Sequence, residues 1–231
     1  MNKTVALFGS TGLIGSEILK LLMKDDDYET INVITRKKVT VKSKKIKNHI
    51  IDFTNPDGYK KVIKKGDVVI ASIGTTQSKV NFNKTKYRKV DYDILLNIAK
   101  VCKSNQASSF CFVSSAGANE KSKNFYLGLK GEIENSITHL ALKSCLIFRP
   151  SLLLGKRNEF RFGEIIAQKI MPLFSFLMKS NYKPIKAIDV AKSIVKERRK
   201  ESKATRSIIL IYFEIDIITN LLKKTTIKLW F

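Results

Sequence analysis

Three glycines within seven residues, set between an apolar strand and an amphipathic helix, restrict the fold of this chain more than any other feature. The run Gly9-Ser10-Thr11-Gly12-Leu13-Ile14-Gly15 follows KTVALF directly and opens a helical pattern that reaches about Lys24. The first glycine permits a tight turn, the second lets backbone approach a ligand, and the third lets the helix lie close to the strand. Amides at the helix start then face an anion, and a diphosphate suits them. The spacing is Gly-x-x-Gly-x-x-Gly rather than Gly-x-Gly-x-x-Gly, and such glycines also occur in plain strand-to-helix turns. The flanking strand and helix give the motif its weight.

Downstream, short β-rich runs alternate with helical patterns. INVIT and HIIDF read as strands, followed by a helix near Gly58 to Lys64 and then by DVVIASIG. From about Lys84 to Lys103, Val90, Ile94, Leu95, Ile98, Ala99 and Cys102 share one helical face, which should cover a sheet. SFCFVSS, a helix from Asn124 to Leu142, and SCLIFRP closed by Pro150 complete the rhythm. This order predicts an α/β fold with a doubly wound parallel sheet and helices on both faces. Residues 1–199 read as one dinucleotide-binding domain. Within it, 151–199 form a small substrate-side extension with helices near Glu164 to Lys179 and Ile188 to Arg199. From about Lys200 the text turns Ile-, Lys- and Thr-rich. Residues 200–231 are a divergent tail whose options are a last strand and helix, a dimer contact, or a segment unrelated to the rest.

Composition narrows the partners. The 231 residues include 43 Lys+Arg against 20 Asp+Glu, a formal net charge of +23 that would attract nucleic acid, acidic surfaces or phosphorylated small molecules. Lysine is spread along the chain, and no basic run is interleaved with aromatics, so no specific nucleic-acid footprint is visible. A phosphate-bearing small molecule is the expected partner. Cys102, Cys111 and Cys145 lack Cys-x-x-Cys spacing and lie in or beside apolar runs, which fits reduced buried thiols. Gly9, Gly12 and Gly15 interrupt the first apolar stretch before an export signal could form, and no 18-residue apolar run exists to span a membrane. A cytoplasmic monomer or homodimer is expected.

The end of the second strand bears on cofactor choice. An acid there would bind the ribose 2′-hydroxyl of NAD, but the chain has Thr35-Arg36-Lys37-Lys38. Arg36 can hold a 2′-phosphate through charge-assisted hydrogen bonds, so NADP is preferred, with NAD the alternative. Asp52 and Phe53 after the third strand are candidates to reach the adenine, and Gly74 after the fourth is a candidate for close approach to the cofactor.

Tyr126 and Lys130 stand four residues apart on one helical face. A free phenol is a poor base at neutral pH. A neighbouring cation lowers its pKa and makes it a usable proton donor and acceptor. Lysine is so abundant that seven tyrosines should produce about one such pair by chance. Tyr182 and Lys186 match too, but Pro184 lies between them and no cofactor strand precedes them. The first pair follows Val113-Ser114-Ser115-Ala116-Gly117, where Ser115 is the candidate to hydrogen-bond a substrate carbonyl and Ser114 its substitute; capping a turn is the plain alternative for both. With only His49 and His139 and no Cys/His cluster, neither a metal site nor a histidine-based triad has support.

GSTGLIGSEIL, VSSAGAN, FYLGLKGEIE, RPSLLLGKR and YKPIKAIDVA together resemble the atypical branch of the short-chain dehydrogenase/reductase superfamily, in particular the Tat-interacting-protein-like oxidoreductases. The resemblance covers about residues 1 to 197. It implies a Rossmann-type sheet, NADP or NAD at Gly9, Gly12 and Gly15, and an active site of Ser115, Tyr126 and Lys130. It further implies that Lys130 holds the nicotinamide ribose and that Arg149, Pro150 and Ser151 line the nicotinamide end. The leading expectation is an NADP(H)-dependent oxidoreductase acting on a carbonyl, an alcohol or a sugar-nucleotide-like substrate. A cofactor-sensing regulatory protein without turnover and a basic nucleic-acid-binding protein are the alternatives.

Overall fold

The computed structural model describes residues 3–154, 184–201, 207–212 and 227–229. Strands β1 (Lys3–Phe8), β2 (Tyr28–Thr35), β3 (Ile46–Ile50), β4 (Val68–Ala71), β5 (Ser109–Val113) and β6 (Ser144–Arg149) form a parallel sheet in the order β3-β2-β1-β4-β5-β6. The direction of strand addition reverses between β1 and β4. Chains leaving these two strands therefore diverge at their C-terminal ends and leave a crevice there. This is the Rossmann-type, doubly wound α/β architecture expected from the sequence.

Strand alternation explains the two layers. Val5, Leu7, Ile31, Val33, Ile70 and Cys111 face one side, where they pack with Ile14, Ile18, Leu19 and Leu22 of α1 (Leu13–Met23). Ala6, Phe8, Ile34, Val69, Phe110, Phe112 and Cys145 face the other. That second face is covered by α2 (Pro56–Val62), α4 (Ile94–Ser104), whose Cys102 enters the core, and α5 (Phe125–His139). Fully burying one such branched or aromatic side chain stabilises the fold by about 1.5–3 kcal/mol, so each layer strongly favours its register.

The segment read as one helix from Lys84 to Lys103 is three elements. α3 (Lys84–Arg88) passes into a π-helical turn, Lys89–Asp93, before α4 begins. Asp91 lies within this wider turn and is 1% exposed.

After β6, a two-stranded parallel sheet joins β7 (Leu153–Leu154) to β8 (Ile185–Lys186). α6 (Ala187–Glu201) follows, close to the expected Ile188 to Arg199, and sets Val190, Ala191 and Ile194 into the α1 layer. β9 (Ser207–Tyr212) lies parallel to β6, from Ser144 opposite Ser207 to Arg149 opposite Tyr212, and β10 (Ile227–Leu229) runs antiparallel to β9. Part of the Lys200–Phe231 tail thus extends the main sheet. The helix expected near Glu164 to Lys179, and the Tyr182 side of the second Tyr-Lys pair, lie outside the described residues.

Candidate cofactor and active site

The glycine loop closes tightly between β1 and α1. Gly9 has φ +82°, and a Cβ there would stand 2.3 Å from the Ser72 carbonyl oxygen, so backbone fills the space a side chain would need. A Cβ on Gly15 would come within 2.0 Å of the Gly9 oxygen, which fixes how closely the first turn of α1 packs on the loop. The Gly12 amide donates to that same oxygen at 3.0 Å. Leu13 is partly buried and Ile14 is buried against the sheet, while Thr11 and Gly12 are exposed.

Two features fit this loop to a diphosphate. α2, α3 and α5 begin with Asn55, Asn83 and Asn124, whose side chains accept from Asp57, Lys86 and Leu127 amides. α1 begins at Gly12 in extended backbone, without a side-chain cap and without an acid in its first turn. Its positive dipole end is left for an external anion. Ser10 is 2% exposed, and its hydroxyl has no hydrogen-bond partner among the described residues. A buried hydroxyl without a partner is costly, and a ligand oxygen at the loop would satisfy it. The residues present therefore fit a dinucleotide, whose phosphates Gly9, Ser10, Thr11, Gly12 and the first turn of α1 would hold.

The neighbouring strand ends bring the other expected residues to the same edge of the sheet. Arg36 is exposed immediately after β2 and forms no ion pair among the described residues. Asp52 is exposed after β3, with its carboxylate folded back on Thr54: Oδ1 accepts from the amide and the hydroxyl, each at 2.8 Å. These bonds hold its pKa below the usual carboxylate value, led by the amide. Phe53 is half-buried and packs edge-on against Phe8 and at a tilt against Tyr59, so much of its ring already belongs to the core. Gly74 is exposed in the loop after β4, and a Cβ there would meet Asp91 Oδ1 at 3.5 Å.

Tyr126 and Lys130 lie on the first turns of α5, with the ammonium 5.8 Å from the centre of the phenol ring. Tyr126 is half-buried, and its hydroxyl makes no hydrogen bond among the described residues. Lys130 is buried. Its Nζ donates to Asp91 Oδ1 at 2.8 Å, and Asp91 Oδ2 accepts the Thr75 amide at 2.7 Å. Burial opposes the ammonium, but the Asp91 carboxylate, aided by Tyr126 and Glu134, outweighs it, and the Lys130 pKa lies above that of free lysine. One acid therefore fastens the amine to the loop that follows β4. Sequence reading missed Asp91. It lies in line with Tyr87, Leu95, Ile98 and Cys102 at helical spacing, all of them buried, and an acid on such a stripe was the available signal.

The two serines separate clearly. Ser114 is buried, and its hydroxyl donates to Glu134. Arg149 closes on the same carboxylate, with Nε donating to Oε1 at 3.0 Å and to Oε2 at 3.1 Å, and Nη2 also bonded to Oε2. Ser114, Glu134 and Arg149 thus tie β5, α5 and β6 together, a network not read from the sequence. Ser115 is half-buried, and its hydroxyl has only a long 3.3 Å contact with the Ala116 oxygen, so it remains available to a ligand. Pro150 is buried and accepts the Ala116 amide at 2.9 Å; Ser151, next to it, is half-buried.

A doubly wound sheet with a bare helix start at its crevice defines the class: a dinucleotide-binding protein of the Rossmann type. Residues 9–141 match the family model described as NAD(P)H-binding. Protein FMP52, mitochondrial, of Candida albicans is 32% identical over 192 residues, covering 80% of this chain and 83% of that protein. Protein HTATIP2 of Rattus norvegicus is 32% identical over 171 residues, covering 73% and 70%. The chain belongs to the NAD(P)H-binding family and, with these relatives, to the atypical short-chain dehydrogenase/reductases that its motifs resemble. Among solved structures, the Bordetella bronchiseptica enzyme WbmH in complex with NAD+ superposes with a TM-score of 0.68 at 16% identity, covering 93% of this chain and 76% of that one, a likeness of fold. Among the described residues, no helix is long and apolar enough to cross a membrane.

Proposed function

We propose that this protein is an NADP(H)-dependent oxidoreductase that interconverts a carbonyl and an alcohol on a small molecule. The observation that carries the reading is the Tyr126 hydroxyl, unbonded among the described residues, beside a buried ammonium on the sheet edge that holds the bare start of α1. When bound, the nicotinamide supplies or accepts the hydride. Tyr126 gives its phenolic proton to the carbonyl oxygen during reduction and takes it back during oxidation. The Ser115 hydroxyl donates a hydrogen bond to that same oxygen and orients it. Lys130, held by Asp91, keeps a positive charge near the phenol and stabilises the negative charge left when the proton departs. By family resemblance it also holds the nicotinamide ribose, with Arg149, Pro150 and Ser151 bordering the nicotinamide end. Arg36, exposed after β2 and without an ion pair among the described residues, supports NADP over NAD because a guanidinium binds a 2′-phosphate well. Asp52, Phe53 and Gly74 flank the adenine and ribose side. Three buried free thiols support a reducing compartment such as the cytoplasm.

Calorimetric titration with NADPH and NADH tests the cofactor half of the proposal. NADPH should bind more tightly, and Arg36→Ala should remove most of the difference. Tyr126→Phe should keep NADPH affinity and abolish NADPH oxidation by a panel of aldehydes and ketones. Full turnover in that variant would remove Tyr126 from the mechanism.

A further inference from the structure

Beside Tyr126, on the side of the β4 loop and α3, lies a cavity of about 220 Å³ lined by Gln77, Phe82, Asn83, Lys84, Tyr87 and Phe125. We propose that it is the substrate-recognition pocket, shaped for a flat aromatic carbonyl compound that carries an acidic group. The proposal rests on the oxidoreductase reading above and names the substrate class that reading leaves open.

Three of the six lining side chains are aromatic rings. Tyr87 meets Phe125 edge-on at 5.7 Å and Tyr126 edge-on at 6.4 Å, so one ring forms a wall of the cavity and a neighbour of the reacting phenol. A ligand held there lies against Tyr87, whose ring is the direct neighbour of Tyr126. Tyr87 is itself fixed, buried, with its hydroxyl donating to the Thr75 oxygen at 3.3 Å.

Phe82 is the unusual wall. It is 74% exposed and has φ +56°, directly after Asn81 at +51°. Asparagine tolerates the left-handed region, whereas a bulky residue there is strained, and the Phe82 amide holds the turn by donating to the Gln77 oxygen at 2.7 Å. The chain thus keeps a large ring at the rim of a cavity, in a backbone state that ring disfavours. An incoming flat apolar group would bury it.

Charge and size complete the class. Among the described residues, Lys84 is the sole ionisable cation on the lining, its ammonium 5.4 Å from the centre of the Phe125 ring, and no carboxylate lines the cavity. Nearby Arg88 is bonded to Glu132. An anionic substituent on the ligand would meet Lys84 at the rim. An engineered cavity of about 150 Å³ is enough to admit benzene, so the present volume accommodates one substituted ring.

The test uses the whole protein with NADPH and 4-carboxybenzyl alcohol, a combination that binds without reacting, followed by saturation-transfer NMR on the ligand ring. A ring signal is expected in the parent protein. Phe82→Ala should weaken binding about tenfold, the scale of a lost aromatic contact. Lys84→Glu should weaken 4-carboxybenzyl alcohol more than benzyl alcohol. In steady-state assays, Phe82→Ala should raise KM for 4-carboxybenzaldehyde and leave KM for glyceraldehyde in place. NADPH binding with no ring signal, or with a signal indifferent to both substitutions, overturns the pocket while the oxidoreductase reading stands. A ring signal that both substitutions weaken, without turnover of any carbonyl, upholds the pocket and overturns the oxidoreductase reading.

Discussion

Lys130 and Asp91 are tolerable in the interior only as a pair, at 4% and 2% side-chain exposure. Each charge alone would bear a desolvation cost that the other now offsets. Asp91→Ala strands the ammonium and should cost about 3–5 kcal/mol in urea unfolding at neutral pH, whereas the double variant Asp91→Leu with Lys130→Met should recover most of that loss. The fold raises the Lys130 pKa, so this stabilisation is complete below the unfolded lysine value near 10.4 and is lost as pH rises through the folded value. A stability profile that falls well before pH 10 in the parent but not in the double variant would contradict it. The difference in visibility from sequence has a physical origin. Tyr126 and Lys130 are joined by local helical spacing, which sequence displays. Asp91 is 39 positions from its partner, and although it falls on the buried stripe of its own helix, helical spacing cannot name the residue it meets on another. Glu134 was hidden similarly, because the Arg149 it engages comes from the next strand.

At the scale of the element, α1 forgoes a cap that other helices of this chain use. The Gly12 backbone is already extended, as a capping residue requires, but a Cβ there would stand 3.3 Å from the Gly9 backbone oxygen, a tight contact that the loop must open by a few tenths of an ångström to admit. Gly12→Asp should therefore lose about 1–3 kcal/mol in urea unfolding through that crowding, because an aspartate cap regains only a few tenths over glycine. NADPH affinity in calorimetry should drop by at least about tenfold, since the carboxylate occupies the amides and repels phosphate. Unchanged affinity would mean that the diphosphate rests elsewhere. Elements of this kind were legible because strand alternation and the apolar stripe of α1 are local. The division of 84–103 was not, since Val90 to Cys102 fits a single helical face nearly as well as the broken one.

For the molecule as a whole, the tail beyond Lys200 bears on solubility. β9 pairs along the full length of β6 and keeps SCLIFR from being an open sheet edge. Ending the chain after Glu201 should leave that edge unpaired and promote association, visible as light scattering that grows with protein concentration; a monodisperse truncated protein would deny β9 this role. Nothing in the Ile- and Thr-rich text names its neighbour, because strand pairing at such distance is a property of topology. The two layers also carry their own reporters. Cys111 belongs to the α1 side of the sheet, and Cys102 and Cys145 to the other; all three are buried free thiols, with burial raising the pKa of Cys102. An alkylating reagent can reach each sulfur only when its own layer opens. Peptide-resolved labelling rates would therefore time the loosening of the two halves independently, without a single engineered probe.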